Sequence, residues 1–473
     1  MRISEKLGIS VSQYELDFLD VDIDVDNKLF IDPFLIANSN SKFAIDADFT
    51  IKSFFNQFKN TMRSGNYDEA FELFKYMSEP KENCLGISTK GTKNGRGVGE
   101  LNTKKILKNI IDSDAIENDL VKNIEDLVIF VEDIDKDKLS DMVTNIIRLE
   151  LTKYTQQQCK LWNKSLIEDL TLPYWDATTC SWLNSKQELL VIDGYEYLLI
   201  PKSIVSPLSI YNISKYSNSQ IIEQERFFHL QRKSALVRYR YKKDGSIVPY
   251  VYKKDVYEDV TNIIKESYLS TKDYIRQYTL QYPDLFTKFV SDAKRKIKSL
   301  TNDALAEKLE ESSIEEIIDK LIDRLKSIPT GGKDATDFHY FIRSLLAMLW
   351  YPYLVNPKVE VEIHDGRKRI DIVMENNASS GFFYNLHAIS KIFCPNIFIE
   401  CKNYGKDVAN PEIDQLSGRF GSLRGQFGIL VCRELQDYDK FMKRCKDTYL
   451  DGRGLVICLT DKDVIDMLNS IKE

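Results

Sequence analysis

Ile397-Phe398-Ile399-Glu400-Cys401-Lys402-Asn403-Tyr404 runs from an apolar triplet into a carboxylate and an ammonium two residues apart. Pro395-Asn396 precedes it and Gly405 follows, so it reads as a short buried strand. Strand side chains alternate, which puts Glu400 and Lys402 on one face and Cys401 on the other. Burying such a pair is costly without a partner or a task. A second acid lies upstream: Gly366-Arg367-Lys368-Arg369-Ile370-Asp371-Ile372-Val373-Met374 reads as a turn entering another strand. If the two strands are neighbours, Asp371 and Glu400 share one divalent cation with Lys402 beside it. Hard oxygen ligands of this kind suit Mg²⁺, which keeps several of its waters. A bound Mg²⁺ polarises a phosphate and lowers the pKa of its water. Lys402 is then available to position that water and to offset charge on the phosphate.

Asp371, followed by Glu400-x-Lys402 on the next strand, resembles the PD-(D/E)xK nuclease superfamily. Glu400-Cys401-Lys402-Asn403-Tyr404, with a helix carrying Gln415 after it, resembles the Mrr-type restriction endonuclease branch. The likeness covers residues 331–473. It implies a restriction-endonuclease-like α/β domain, a central mixed sheet with an αβββαβ core. It implies catalytic roles for Asp371, Glu400, Lys402 and Gln415, and a metal-binding set of Asp371, Glu400 and Cys401. The implied cofactor is Mg²⁺, with Mn²⁺ as a substitute, and the implied substrate is DNA. The expected order is helix 338–350, strands 359–363, 370–374 and 397–402, helix 411–423 and strand 427–432. A helix over 437–449, a strand over 454–459 and a helix over 461–471 extend it. The plainer alternative is an edge-strand ion pair between Glu400 and Lys402 in an ordinary α/β domain.

One departure concerns the first helix of that core. Many members of the superfamily carry a further acid near its start. Here Phe338, Phe341, Ile342, Leu345 and Leu349 form its apolar stripe, with His339 and Arg343 on the opposite face. No Glu is present at its start, which leaves Asp337 or His339 to fill the role. Asp337 also reads as a helix-start acid facing the dipole, and His339 as a structural histidine.

The 473 residues suffice for two to four domains. A hydrophobic fraction of 43% and a charged fraction of 29% are those of a globular chain, and no apolar run is long enough to span a membrane. Met1-Arg2-Ile3-Ser4-Glu5-Lys6 lacks the apolar core of a signal peptide, so a cytoplasmic location is expected. The eight cysteines form no CxxC pair, which speaks for reduced thiols rather than disulfides or zinc. A net charge of −7 argues against a protein that coats nucleic acid indiscriminately, but binding needs only a local basic patch.

Four segments are expected: 1–165, mainly helical with a Gly-rich loop; 166–255, β-rich with a basic hairpin; 256–330, a helical connector; and 331–473. The region ahead of the C-terminal domain is thus mostly α and partly β. Tyr14 to Val25 alternates acid and apolar residues and reads as a strand with one solvated face. Helices are expected over 51–77, 103–113, 117–131 and 138–162. The glycine-dense stretch 86–99 reads as a plain loop or as a ligand loop, and fits neither the P-loop nor the GxGxxG pattern. Hairpins are expected over 189–200, turning at Asp193-Gly194, and over 236–252. Helices follow over 256–268, 272–282, 285–300, 302–311 and 314–327, and Pro329-Thr330-Gly331-Gly332 reads as a linker.

Between residues 226 and 254 nine cations face one acid, Asp244, with Tyr239, Tyr241, Tyr250 and Tyr252 interleaved. Arg238, Arg240, Lys242 and Lys243 are the candidate nucleic-acid contacts, with Arg238 and Arg240 on one strand face. A solvated hairpin is the alternative.

Three readings emerge. The first is a Mg²⁺-dependent DNA endonuclease of restriction or anti-phage type, with residues 1–330 targeting, sensing or assembling. The second is a nucleic-acid-binding or assembly protein whose nuclease fold is inactive. The third is a gated effector released by a partner or activator that meets residues 1–330. Double-strand cleavage needs two active centres, which makes a homo-oligomer the expected assembly.

Overall fold

The computed structural model describes residues 1–25, 27–86, 96–206, 210–309, 311–363 and 365–472, with only the backbone at 96–102. Most of the glycine-dense stretch 86–99 lies outside the described residues. The protein is mixed α/β, with several small sheets and one five-stranded sheet in its C-terminal part. Among the described residues no helix is long and apolar enough to cross a membrane.

A large apolar core runs from Ile3 to Leu309 and takes in Tyr351 and Val355. Its centre is α1 (Lys42–Arg63), which buries Phe54, Phe55 and Phe58 at helical spacing and starts at a Ser41 cap. Against it pack α2 (Lys136–Ile146) and α3 (Arg148–Leu161). The sequence reads these two as one helix. Ile147, at φ −93° and ψ 21°, breaks it. The Asn145 amide donates to the Ser78 and Asp141 carbonyls at the break, and Arg148 donates to the Asn145 side-chain oxygen.

The expected helix over 117–131 shrinks to short turns at Ile124–Asp126 and Leu127–Phe130. There Asp126 accepts from the backbone N–H of Lys122 and Asn123, replacing helical bonds with a side-chain turn. The expected strand over Tyr14 to Val25 is absent as well. Asp17 and Asp20 are buried rather than solvated. Asp20 accepts from the Ser4 N–H (2.8 Å) and hydroxyl (2.7 Å), and Asp17 from the Tyr154 hydroxyl (2.7 Å).

A long ribbon, β1 (Ile167–Asp176) with β2 (Ser181–Ile192), covers this core, and β3 (Tyr195–Tyr197) extends it. The β2–β3 turn is the expected Asp193-Gly194, with φ +52° and +83°, the left-handed pair a two-residue hairpin requires. Strand β1 has no counterpart among the expected elements. A separate exposed hairpin joins β4 (Arg238–Tyr241) to β5 (Ile247–Tyr250). Then α4 (Lys253–Glu266), α5 (Thr271–Gln281) and α6 (Pro283–Lys296) follow in the expected places. Ile275, Tyr278, Phe289 and Ala293 of α5 and α6 belong to the large core, so this segment is not a detached connector.

The C-terminal sheet is built from β6 (Leu354–Ile363), β7 (Lys368–Asn376), β8 (Asn396–Lys402), β9 (Phe427–Cys432) and β10 (Leu455–Thr460), in spatial order β10-β9-β8-β7-β6. The β6–β7 and β7–β8 pairs are antiparallel; β8–β9 and β9–β10 are parallel. Helix α7 (Ile314–Ser327) precedes the sheet, and α8 (Ala335–Trp350) leads into it. Between and after the parallel strands come α9 (Asn410–Ser417), α10 (Tyr438–Leu450) and α11 (Asp461–Lys472). One face buries Ile372, Ile397, Ile399, Cys401 and Val431 with residues of α7, α8 and α11. The other buries Phe398, Leu430 and Val456 with α9 and α10.

Two expectations fail here for a packing reason. Ile317, Ile318, Leu321 and Leu325 of α7 lie in the same core as the sheet, and Lys472 of α11 pairs with Asp319. The Pro329–Gly332 segment is therefore inside the C-terminal unit and not at its edge. Arg343 is buried rather than exposed: it donates to the Leu161 carbonyl (3.1 Å) and stacks 4.1 Å from the Trp162 ring, pinning α8 to α3.

Candidate active site

Glu400 and Lys402 sit at the C-terminal end of β8, the middle strand of the sheet. By alternation they follow Phe398 toward α9, while Cys401 follows Ile399 toward α8. The β7–β8 ladder pairs Ile372 with Ile399, so Asp371 and Glu400 come next as the strands part. Both acids thus arrive on adjoining strands just beyond the point where the β7–β8 ladder ends.

Side chains close around them. Lys402 Nζ donates to Glu400 Oε1 (2.8 Å) and to Gln415 Oε1 (3.1 Å). The Gln415 amide of α9 donates to the same Glu400 oxygen. Asp371 Oδ2 accepts from the Cys401 N–H (3.0 Å), which ties β7 to the last turn of β8. His339 Nε2 lies 2.9 Å from the Cys401 carbonyl and 3.7 Å from Asp371 Oδ2. A carbonyl only accepts, so Nε2 carries the proton. The structure brings together Asp371, Glu400, Lys402, Gln415 and His339. It does not bring Asp337, which pairs with Arg324 at 2.6 and 2.7 Å in half-exposed surroundings.

Glu400 is 1% exposed, and its Oε2 is buried without a hydrogen-bond partner. Burial, and then the Asp371 charge, push its carboxyl above the usual range, against the pull of Lys402. Burial opposes the Lys402 charge, but Glu400 outweighs it and holds the ammonium above its ordinary pKa. Two acids and one lysine leave a desolvated carboxylate oxygen pointing at no donor, an arrangement a cation would complete.

The donor set fits Mg²⁺: two carboxylates, with water and phosphate oxygens supplying the rest. Among the described residues no three His, Cys, Asp or Glu side chains gather as a metal group, so the ion would rely on those outside oxygens to fill its shell. The Cys401 thiol is not a ligand. It is buried on the opposite face, and burial, then Asp371 and Glu400, push its pKa well above the usual thiol range. What Cys401 gives the site is its main chain, an N–H to Asp371 and a carbonyl toward His339.

Two contributors are not among the expected site residues. Arg419, just past the end of α9, lowers the Glu400 pKa by its charge, and its Nε is buried without a partner. Because α9 ends at Ser417, helical spacing from Gln415 does not foretell it. Asn403 donates to the Pro329 (2.9 Å) and Gly331 (3.0 Å) carbonyls, anchoring the segment before α8 beside the site.

The basic hairpin stands apart from these residues, its β4 residues all exposed. Arg238 lies 4.9 Å from the Tyr252 ring and pairs with Asp255 (3.0 Å), and Arg240 lies 5.7 Å from the Tyr250 ring. Both guanidinium groups therefore share one face of the ribbon. Lys242 and Lys243 are exposed at its turn.

Residues 8–212 match a family described as Domain of unknown function (DUF8370). That span covers α1 to α3 and the β1–β3 ribbon and stops short of both the hairpin and the C-terminal sheet. No curated protein matches the chain, and no solved structure does.

Proposed function

We propose that the protein is a Mg²⁺-dependent endonuclease that hydrolyses phosphodiester bonds of DNA, with a restriction-endonuclease-like C-terminal unit as its catalytic part. One observation carries this reading: Asp371, Glu400 and Lys402 converge at the end of adjoining strands around a buried carboxylate oxygen that lacks a donor. Asp371 and Glu400 would hold the ion. When bound, Mg²⁺ supplies Lewis-acid polarisation of the phosphate and a water of lowered pKa.

The chain's own residues do the rest. Gln415 and Lys402 both bond Glu400 Oε1, which fixes the carboxylate and directs Oε2 away from them. Lys402, held in its charged form, is placed to orient the attacking water and to offset charge on the phosphate. The Nε2–H tautomer of His339 fixes the Cys401 carbonyl and steadies the end of β8. Restriction or anti-phage defence is the biological role that suits this chemistry, with the N-terminal body as the selecting or sensing part.

A second reading, a binding or assembly protein with an inactive nuclease fold, draws on the engagement of Asp337 by Arg324, which leaves α8 without an acid at the site. Incubation of the full chain with supercoiled plasmid and Mg²⁺ or Mn²⁺ separates the two. Nicking or linearisation by the native protein, lost in Asp371→Ala and Lys402→Ala, supports the nuclease. Bound but intact plasmid with either ion supports the second reading.

A further inference from the structure

A cleft of about 500 Å³ lies where the N-terminal body meets the C-terminal sheet. Its walls come from α1, α3 and the β1–β2 turn on one side, and from Asn356, Lys358 and Glu375 of β6 and β7 on the other. The volume is that of a small-molecule site.

Two buried acceptors in this lining lack donors. Asn356 sits at the bulge of β6, where the register with β7 shifts, in a left-handed conformation at φ +52°. Asparagine tolerates that conformation better than most residues, and bulges re-aim side chains. Its N–H donates to Asp17 Oδ1 (3.0 Å) and its amide to Glu375 Oε2 (2.8 Å), while Oδ1 is buried with no partner in a residue 4% exposed. Across the cleft, Glu150 Oε1 accepts from the Thr50 hydroxyl (2.6 Å), and Glu150 Oε2 is buried with no partner. Leaving two such acceptors unsatisfied is costly, and a ligand that donates hydrogen bonds removes the cost.

The remaining walls say what kind of donor. Phe43 contributes an aromatic wall, and Phe49, 63% exposed, stands in the lining as an open aromatic surface. Lys42 is tied to Asp46 (2.7 Å) and Lys358 to Glu375 (2.9 Å), which leaves Lys153 as the other lining cation. That is too little positive charge for a polyphosphate. The lining asks for a flat, nearly neutral ring with amino hydrogens.

We infer that this cleft binds an amino-bearing heteroaromatic compound of nucleobase or nucleoside kind, its amine donating to Asn356 Oδ1 or Glu150 Oε2. The inference stands apart from the nuclease reading, since it needs neither metal nor cleavage. It does place the ligand against β7, the strand that also carries Asp371.

The test is calorimetric titration of the full chain, without metal or DNA, with adenosine and cytidine beside inosine and uridine, which lack the amine. Saturable binding of an amino-bearing nucleoside, with its amine-free counterpart about tenfold weaker, is expected. Glu150→Gln keeps the Thr50 bond and turns the free oxygen into an amide donor, so the preference should fall or reverse. Phe49→Ala, an exposed position that folding does not need, should weaken binding about tenfold. No binding of either amino-bearing nucleoside at millimolar concentration overturns the inference. So does binding that neither substitution alters, because the ligand then sits elsewhere.

Discussion

Asp371 is the residue where stability and function pull apart most clearly. Its charge helps push the Glu400 carboxyl upward, so in metal-free protein the two acids repel. Asp371→Asn removes that repulsion yet keeps an oxygen to accept the Cys401 N–H. The variant should melt no lower than the native protein in chelator, and higher by up to about 1 kcal/mol of stability. Millimolar Mg²⁺ should then raise the native midpoint, by about 1.4 kcal/mol at ten times Kd, and leave the variant unmoved. A variant that melts lower in chelator, or gains equally from Mg²⁺, would remove Asp371 from the ion-binding pair. The grouping of Asp371, Glu400 and Lys402 is legible in the sequence because their types and spacing on neighbouring strands set it. The Cys401 thiol is misread as a metal ligand because sequence position says nothing about main chain versus side chain. Arg419 stays hidden because a residue beyond a helix end has no periodicity to reveal where it returns.

At the scale of elements, reading works where one pattern dominates. All five strands of the C-terminal sheet lie near their expected positions, and so do the helices around them except α9, which ends at Ser417 where a helix to 423 is expected. β9, buried along its whole length between two parallel partners, is the continuous apolar run such a strand requires. Reading fails where side chains compete with the backbone: Asp17 and Asp20 dissolve a strand pattern, Asp126 dissolves a helix, and Asn145 marks a break. The β4–β5 hairpin is the element whose function is easiest to isolate, because its side chains support no core. Charge reversal at Arg238 and Arg240 together should cost no more than about 1 kcal/mol of stability, most of it from setting an acid beside Asp255. If the hairpin tracks phosphate, DNA affinity should fall. The slope of log K against log salt should flatten by about 0.9 for each phosphate that is no longer neutralised. An unchanged slope would return the hairpin to being a solvated ribbon.

For the whole molecule, the segment boundaries are the least legible feature, because cores form between parts distant in sequence. Tyr14 enters the core of the C-terminal unit, while Tyr351 and Val355 enter that of the N-terminal body. The junction is polar and buried: Lys202 donates to the Tyr14 carbonyl (3.2 Å), Asp17 accepts from Tyr154 and Asn356, and Tyr351 donates to the Lys202 carbonyl (3.0 Å). Such joints make relative motion of the two parts costly.

The same burial fixes how the molecule responds to pH. Burial raises the carboxyl pKa of Glu15, Asp17 and Asp20, and takes Glu125 and Asp141 to about 8. For each, the folded state holds its proton at a pH where the unfolded chain, at an ordinary carboxylate value, has lost it. Stability therefore falls as pH rises from about 4.5 toward 8, the reverse of a protein held by salt-bridged acids. Lys202, lowered to about 7 by burial, works the other way only above that pH, where the unfolded chain binds the extra proton. Calorimetric midpoints should accordingly be higher near pH 5.5 than near pH 8. Asp141 is the clean probe, since its raised pKa comes from burial and from Asp137, Glu79 and Asp135, with no cation opposing them. Asp141→Asn should add about 2 kcal/mol more at pH 8 than at pH 3, where the native carboxyl is protonated in the folded and the unfolded chain alike. An equal gain at both pH values would mean that the substitution acts through packing, and that Asp141 is ionised in the folded protein.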